Sequence, residues 1–130
     1  MEVGILSRSG GPVLAGAVKL VSPAYKDRPA HCEALLTNCA AYIQAGVGLA
    51  LVDVVTERPT DYHRELLVRL GLDDPGAGPI LSASSYRTVE DGDLPVLDLW
   101  QYPIALGMPL PTLPLWLRGG LCLPVELELT

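Results

Sequence analysis

The chain switches repeatedly between alternating, helical and unbroken apolar patterns, and each switch marks an element. Residues 2–8 and 13–21 are two extended runs around Ser9-Gly10-Gly11, a hairpin signal. The second run is apolar at nearly every position, which predicts a strand covered on both faces, and only Lys19 interrupts it. Ser22-Pro23 ends that strand and a polar loop follows. Pro29 suits a first helical turn, with Asp27 as the expected cap. Leu36, Cys39, Ala40 and Ile43 then recur at helical spacing up to a stop at Gly46. Residues 48–55 form the strongest strand pattern in the chain. Strand, helix and buried strand make a βαβ unit with parallel pairing.

Thr60 is the expected cap of a second helix, residues 61–70, closed by Gly71. Residues 80–89 and 94–102 read as a second hairpin around Asp91-Gly92. Ser82, Ser84 and Ser85 in it are expected on a half-exposed strand. Residues 103–114 form a proline-punctuated arm, expected to pack on the sheet or on a partner. The segments 115–117 and 121–129 follow, around a Gly119-Gly120 turn.

Composition narrows the class. At 130 residues the chain has the length of one domain, able to bury roughly 65–70% of its unfolded surface. Hydrophobic residues make up 49% and charged residues 18%, which excludes disorder and leans towards burial against a partner. A net charge of −6 disfavours general binding to a phosphate backbone. Cys32, Cys39 and Cys122 cannot all pair with one another, and free thiols in a reducing compartment are expected. No signal peptide is visible after Met1. The uncharged run 34–52 changes from helical to strand pattern half-way, and the run 101–117 holds four prolines; neither reads as a membrane span. A cytoplasmic location without membrane contact is the expectation.

Most chemical motifs are missing. His31, Cys32, Cys39, His63 and Cys122 show no metal-binding spacing, and read as core thiols and surface histidines. The serines lack a nucleophile elbow. Pro111-Thr112-Leu113-Pro114 matches a polyproline ligand, but its leucines and Trp116 are too apolar to stay free. Asp53 reads as a buried or strand-end carboxylate, either a hydrogen-bonded strand terminus or a metal-site neighbour. The remaining candidate is the end of the second strand, where Lys19 sits in an apolar run and Ser22, Lys26 and Arg28 follow before the helix. A buried lysine needs a partner or a route to water.

The run Gly16-Ala17-Val18-Lys19-Leu20-Val21-Ser22-Pro23-Ala24-Tyr25-Lys26-Asp27-Arg28-Pro29 resembles bacterial proteins of the domain of unknown function 4058 family. The resemblance continues through Cys39-Ala40-Ala41-Tyr42, Val52-Asp53-Val54-Val55-Thr56 and Leu66-Leu67. It ends with Leu106-Gly107-Met108-Pro109-Leu110-Pro111-Thr112-Leu113-Pro114-Leu115-Trp116-Leu117 and Leu123-Pro124-Val125-Glu126-Leu127-Glu128. Members of that family are longer, so the resemblance implies a C-terminal part, truncated at its N-terminal side. More distantly, strand–Ser-Pro–helix–strand is similar to Uma-type members of the PD-(D/E)XK nuclease-like superfamily. There the second strand carries a metal-binding Glu before Ser-Pro, an upstream strand supplies an Asp, and the helix supplies a Lys shortly before a Tyr. Two carboxylates hold Mg²⁺ and the lysine helps activate water.

Matched residue by residue, Lys19 stands at the Glu position and Asn38, four residues before Tyr42, at the Lys position. The Asp-bearing strand is expected to lie before Met1. The resemblance implies an α+β, restriction-endonuclease-like mixed sheet with a βαβ unit, then a hairpin and the proline-rich arm. The leading functional expectation is a non-catalytic relic acting through binding or self-association, with no cofactor. Leu106, Leu110, Leu113 and Trp116 are its candidate contact residues in a homo-oligomer. The alternative is a Mg²⁺-dependent nuclease whose missing ligands come from an upstream segment or a partner chain; a third reading is a fragment with no independent role. If Lys19 does not reach water, Asp53 on the neighbouring strand is its expected ion-pair partner.

Overall fold

The structure is a computed structural model that describes residues 2–7, 13–21, 29–54, 61–76, 78–79, 81–105 and 107–129. It is α+β. Strands β1 (Glu2–Ser7), β2 (Val13–Val21), β3 (Gly48–Asp53), β4 (Ser82–Asp91) and β5 (Leu94–Pro103) form one mixed sheet in that spatial order. Only β2 and β3 run parallel, joined through helix α1 (Pro29–Gln44), so the expected βαβ unit is present. Helix α2 (Tyr62–Arg69) connects β3 to β4. The expected proline arm becomes a small hairpin of β6 (Thr112–Trp116) and β7 (Cys122–Glu126), followed by a 3-10 turn at Leu127–Leu129.

All six residues of β3 are buried, and the strand alternation sends successive side chains to opposite faces. On one face Leu49 and Leu51 join Ala17, Val21, Leu36, Cys39, Ile43, Leu66 and Tyr86 beneath the two helices. On the other, Ala50 and Val52 join Ala83, Leu113 and Leu115 beneath the hairpin. Complete burial of Leu113 and Leu115 contributes on the order of 1.5–3 kcal/mol each, enough to hold the arm against the sheet. The hairpin also approaches by backbone: a Cβ on Gly48 would lie 1.7 Å from the Trp116 carbonyl oxygen, so only glycine fits there.

Local signals set the ends of the helices. Gly46 has φ 78° and its amide donates to the Ile43 carbonyl at 3.1 Å, while Val47 donates to Tyr42 at 2.9 Å. This paired closure repeats at Gly71 and Leu72, which donate to Val68 and Leu67. The cap of α2 differs from the expectation at Thr60. Asp61 fills it, its Oδ1 accepting from the Arg64 amide at 3.0 Å, because the helix starts one residue later. Thr60 and Asp27 lie outside the described residues.

One further expectation changes. Ser82, Ser84 and Ser85 are buried, not half-exposed, because β4 is an interior strand with helices on one face and β6 on the other. Ser85 donates to the Pro114 carbonyl and stitches the hairpin to the sheet. The P-x-x-P segment is not a free polyproline ligand, since Thr112–Trp116 is a β-strand paired with β7. None of the three cysteines is joined in a disulfide. No described helix is long and apolar enough to cross a membrane.

Candidate functional site

Lys19 points to the helix-covered face of β2, because Ala17 and Val21 on that parity lie in the helix-side core. Only 9% of the residue is accessible. A desolvated ammonium needs a counter-charge, and β1 supplies it. Antiparallel register sets Glu2 directly opposite Lys19, and the ammonium lies 3.1 Å from Glu2 Oε1. Tyr42, on the last turns of α1, donates its phenol to the same oxygen at 2.8 Å. The Lys19 ammonium also lies 5.6 Å from the centre of the Tyr42 ring. Asn38, one helical turn earlier, presents its side chain to the same phenol.

The expected partner of Lys19 was Asp53; the structure gives Glu2 instead. In the parallel β2–β3 register Lys19 faces Leu51, and Asp53 faces Val21. Asp53 is therefore a diagonal neighbour two residues further along, buried at 4% and opposite Ser82 on β4. Glu2 is the nearer carboxylate, and at 37% side-chain exposure it keeps part of its hydration.

The cluster is tuned as a closed ion pair. Partial burial works against the charged Glu2, but the Tyr42 hydrogen bond and the Lys19 ammonium outweigh it, so its carboxyl sits below the usual range. Tyr42 is moved the other way, first by desolvation and then by the adjoining carboxylate. Cys39, on the same helix face and wholly buried, is pushed up to about 12 by desolvation, which removes it as a nucleophile. Together the residues fix charge; they leave no unpaired base beside an open coordination position. Among the described residues, no three His, Cys, Asp or Glu side chains converge to hold a metal ion.

A second polar group lies deeper under the helices. His63 Nδ1 and the Tyr86 hydroxyl are 2.5 Å apart, both residues nearly inaccessible. His63 is thus a core residue and not a surface histidine, because the first turn of α2 lies against β4. Burial lowers its pKa, with Asp61 opposing, and desolvation raises that of Tyr86 well above the phenol range. The pair is held neutral. Tyr62 continues it, its hydroxyl 3.0 Å from Cys32 Sγ across the two helices.

Of the other candidates, Ser22, Lys26 and Arg28 lie outside the described residues, as does Leu106. Leu113 is fully buried inside the chain, so it offers no surface to a partner. Trp116 is half-buried, stacked on Trp100 at 6.2 Å with the Arg87 guanidinium 4.2 Å from its ring. Leu110 is half-buried, and its amide donates to Glu128 Oε1 at 2.5 Å. The arm is thus largely taken up by its own chain. Sequence reasoning missed Glu2, yet a signal existed: counting outward equally from Gly10-Gly11 brings Glu2 opposite Lys19.

Two outcomes follow from these clusters. Glu2→Gln should cost about 1 kcal/mol in urea unfolding, the low end for a broken pair because Glu2 is partly hydrated. Lys19→Met should stay within about 0.5 kcal/mol of wild type, since an apolar side chain suits that position. Equal losses from both would contradict a desolvated lysine held by its partner. For His63, the folded state refuses a proton that the unfolded chain accepts near pH 6.5. Its contribution is therefore present above about pH 6.5 and lost as pH falls towards and through the lower folded value. Melting temperatures at about pH 7.5 and 5.5 should fall more for wild type than for His63→Leu, and equal slopes would rule His63 out as the cause.

The chain matches no protein-family model, no curated protein and no solved structure.

Proposed function

We propose that this chain is a non-catalytic module on a restriction-endonuclease-like scaffold, and that it works by associating with a second copy of itself. The scaffold reading is supported by the hairpin β1–β2 followed by α1 and the parallel strand β3. Lys19 stands on the strand where the resemblance expects a metal-binding carboxylate, and its ammonium is already paired with Glu2. A Mg²⁺ ion there would have to displace an ammonium and meet its repulsion, at a cost that one carboxylate does not offset.

The observation that carries the association is the outer edge of β5. This strand has ten residues, ends the sheet, and exposes Leu94 at 70%, Val96 at 38% and Leu99 at 40%. Between Pro95 and Pro103 its only charge is Asp98, which turns to Arg87 at 3.9 Å. Native edges are usually guarded by lysines, bulges or a covering segment. The opposite edge, β1, is shorter and its register shifts between Ile5 and Leu6. β5 is nearly uncharged and can pair antiparallel with its own copy without setting like charges along the seam. Beside it lies an apolar groove of about 290 Å³, lined by Ile43, Leu70, Leu72, Val96 and Leu97, which continues the surface.

Sedimentation velocity at micromolar concentration should show a dimer in exchange with monomer. Val96→Lys and Leu99→Lys should each shift it to monomer, because a charge on the edge blocks pairing. A clean monomer at every concentration would overturn the association. The nuclease alternative is tested separately: plasmid DNA with Mg²⁺ or Mn²⁺ should show no cleavage above an EDTA control. Metal-dependent cleavage lost in Asp53→Ala would overturn the non-catalytic reading.

A further inference from the structure

Independently of self-association, we infer that the cleft between the β6–β7 turn and the start of β3 is a binding site for a small oxyanion of the phosphate class. The cleft has a volume of about 190 Å³, and its lining includes Arg87, Thr88, Arg118, Trp116, Gly48 and Gly119. Arg87 and Arg118 both line it, and no acidic residue does so among the described residues, in a chain whose overall charge is −6. Two like charges converging on a shared cleft repel each other, and an anion between them removes that cost.

Both arginines are held before any ligand arrives. Arg87 rests on the Trp116 ring at 4.2 Å, and its nearest carboxylate, Asp98, is at the 3.9 Å limit of an ion pair. Asp98 lies at its Nε, and no other hydrogen bond engages its guanidinium among the described residues, so its two Nη groups remain available. Arg118 is fixed at both ends: its amide donates to the Ala15 carbonyl at 2.9 Å, and one Nη donates to the Ala45 carbonyl. The second contact matters electrostatically. Ala45 lies at the negative end of α1, and the Arg118 contact covers its carbonyl.

Of the other polar groups, the Trp116 indole N–H has no acceptor among the described residues, but it is itself inaccessible and takes no part in binding. Gly119 has φ 97°, and its amide likewise meets no acceptor among them. A Cβ on Gly119 would meet nothing within 4 Å, so the backbone there is open to a ligand. Several donors spread around one cleft suit a tetrahedral dianion, whose oxygens accept in several directions, better than a planar monocarboxylate. Thr88 is already committed, its Oγ1 donating to the Ile43 carbonyl at 2.9 Å, and it acts as wall.

The test uses the intrinsic fluorescence of the full chain, because its two tryptophans, Trp100 and Trp116, stack on each other at this cleft. Inorganic phosphate is titrated at constant ionic strength against chloride. A saturable change with a midpoint at or below about 1 mM is expected, with a matching rise in melting temperature. Arg118→Gln and Arg87→Gln should each raise the midpoint at least about tenfold, the loss of one charge-assisted bond, and Arg118→Lys should fall between. If Arg87→Gln fails to fold, Arg118→Gln decides alone, because that side chain is exposed. A response that does not saturate by tens of millimolar, that chloride reproduces, or that survives Arg118→Gln would overturn the site.

Discussion

Everything in this molecule is arranged around a strand that no single layer can cover. The six residues of β3 are inaccessible on both faces, so the sheet needs helices on one side and a second cover on the other. The chain supplies α1 and α2 for the first and folds its proline-rich segment into the β6–β7 hairpin for the second. Close contact on that side demands Gly48, because the Trp116 backbone occupies the space of a side chain. With both faces filled from within, the described residues leave openings at the rims: the β5 edge, the groove beside it, and the cleft where the hairpin turn meets β3.

The same layering explains why polar chemistry survives inside. Lys19 lies on the helix-covered face of β2, and its position is tolerable because β1 brings Glu2 to 3.1 Å and α1 brings Tyr42 over both. His63 and Tyr86 solve the opposite problem by staying neutral and satisfying each other at 2.5 Å. The two groups differ in kind: one stores a compensated charge near the rim, the other a neutral hydrogen bond in the core. Neither presents an unpaired base or nucleophile to solvent.

Much of the fold was legible in the pattern. The two hairpins, the βαβ unit and the glycine stops at Gly46 and Gly71 follow from local periodicity and turn chemistry, which act over a few residues. What was not legible depended on which faces become covered. Ser82, Ser84 and Ser85 look polar and surface-bound, yet β4 is interior because the hairpin returns from thirty residues away. Leu113 looked like a contact for a partner, and is instead the centre of the second core. Asp61 displaced Thr60 as cap because helix starts are uncertain by a residue when two capping side chains adjoin. Of the candidate site, Lys19, Asn38 and Tyr42 were visible from the sequence and do come together. Glu2 needed a register, which only pairing provides.

Amide hydrogen exchange along β5 tests most directly whether the open edge of the sheet is the working surface. One set of its N–H groups is bonded to β4, and the alternate set faces outward. Pairing between two copies predicts that the outward amides between Pro95 and Pro103 exchange slowly, and that their protection rises with protein concentration. Outward amides that exchange as fast as exposed loop positions, at all concentrations alike, would contradict it.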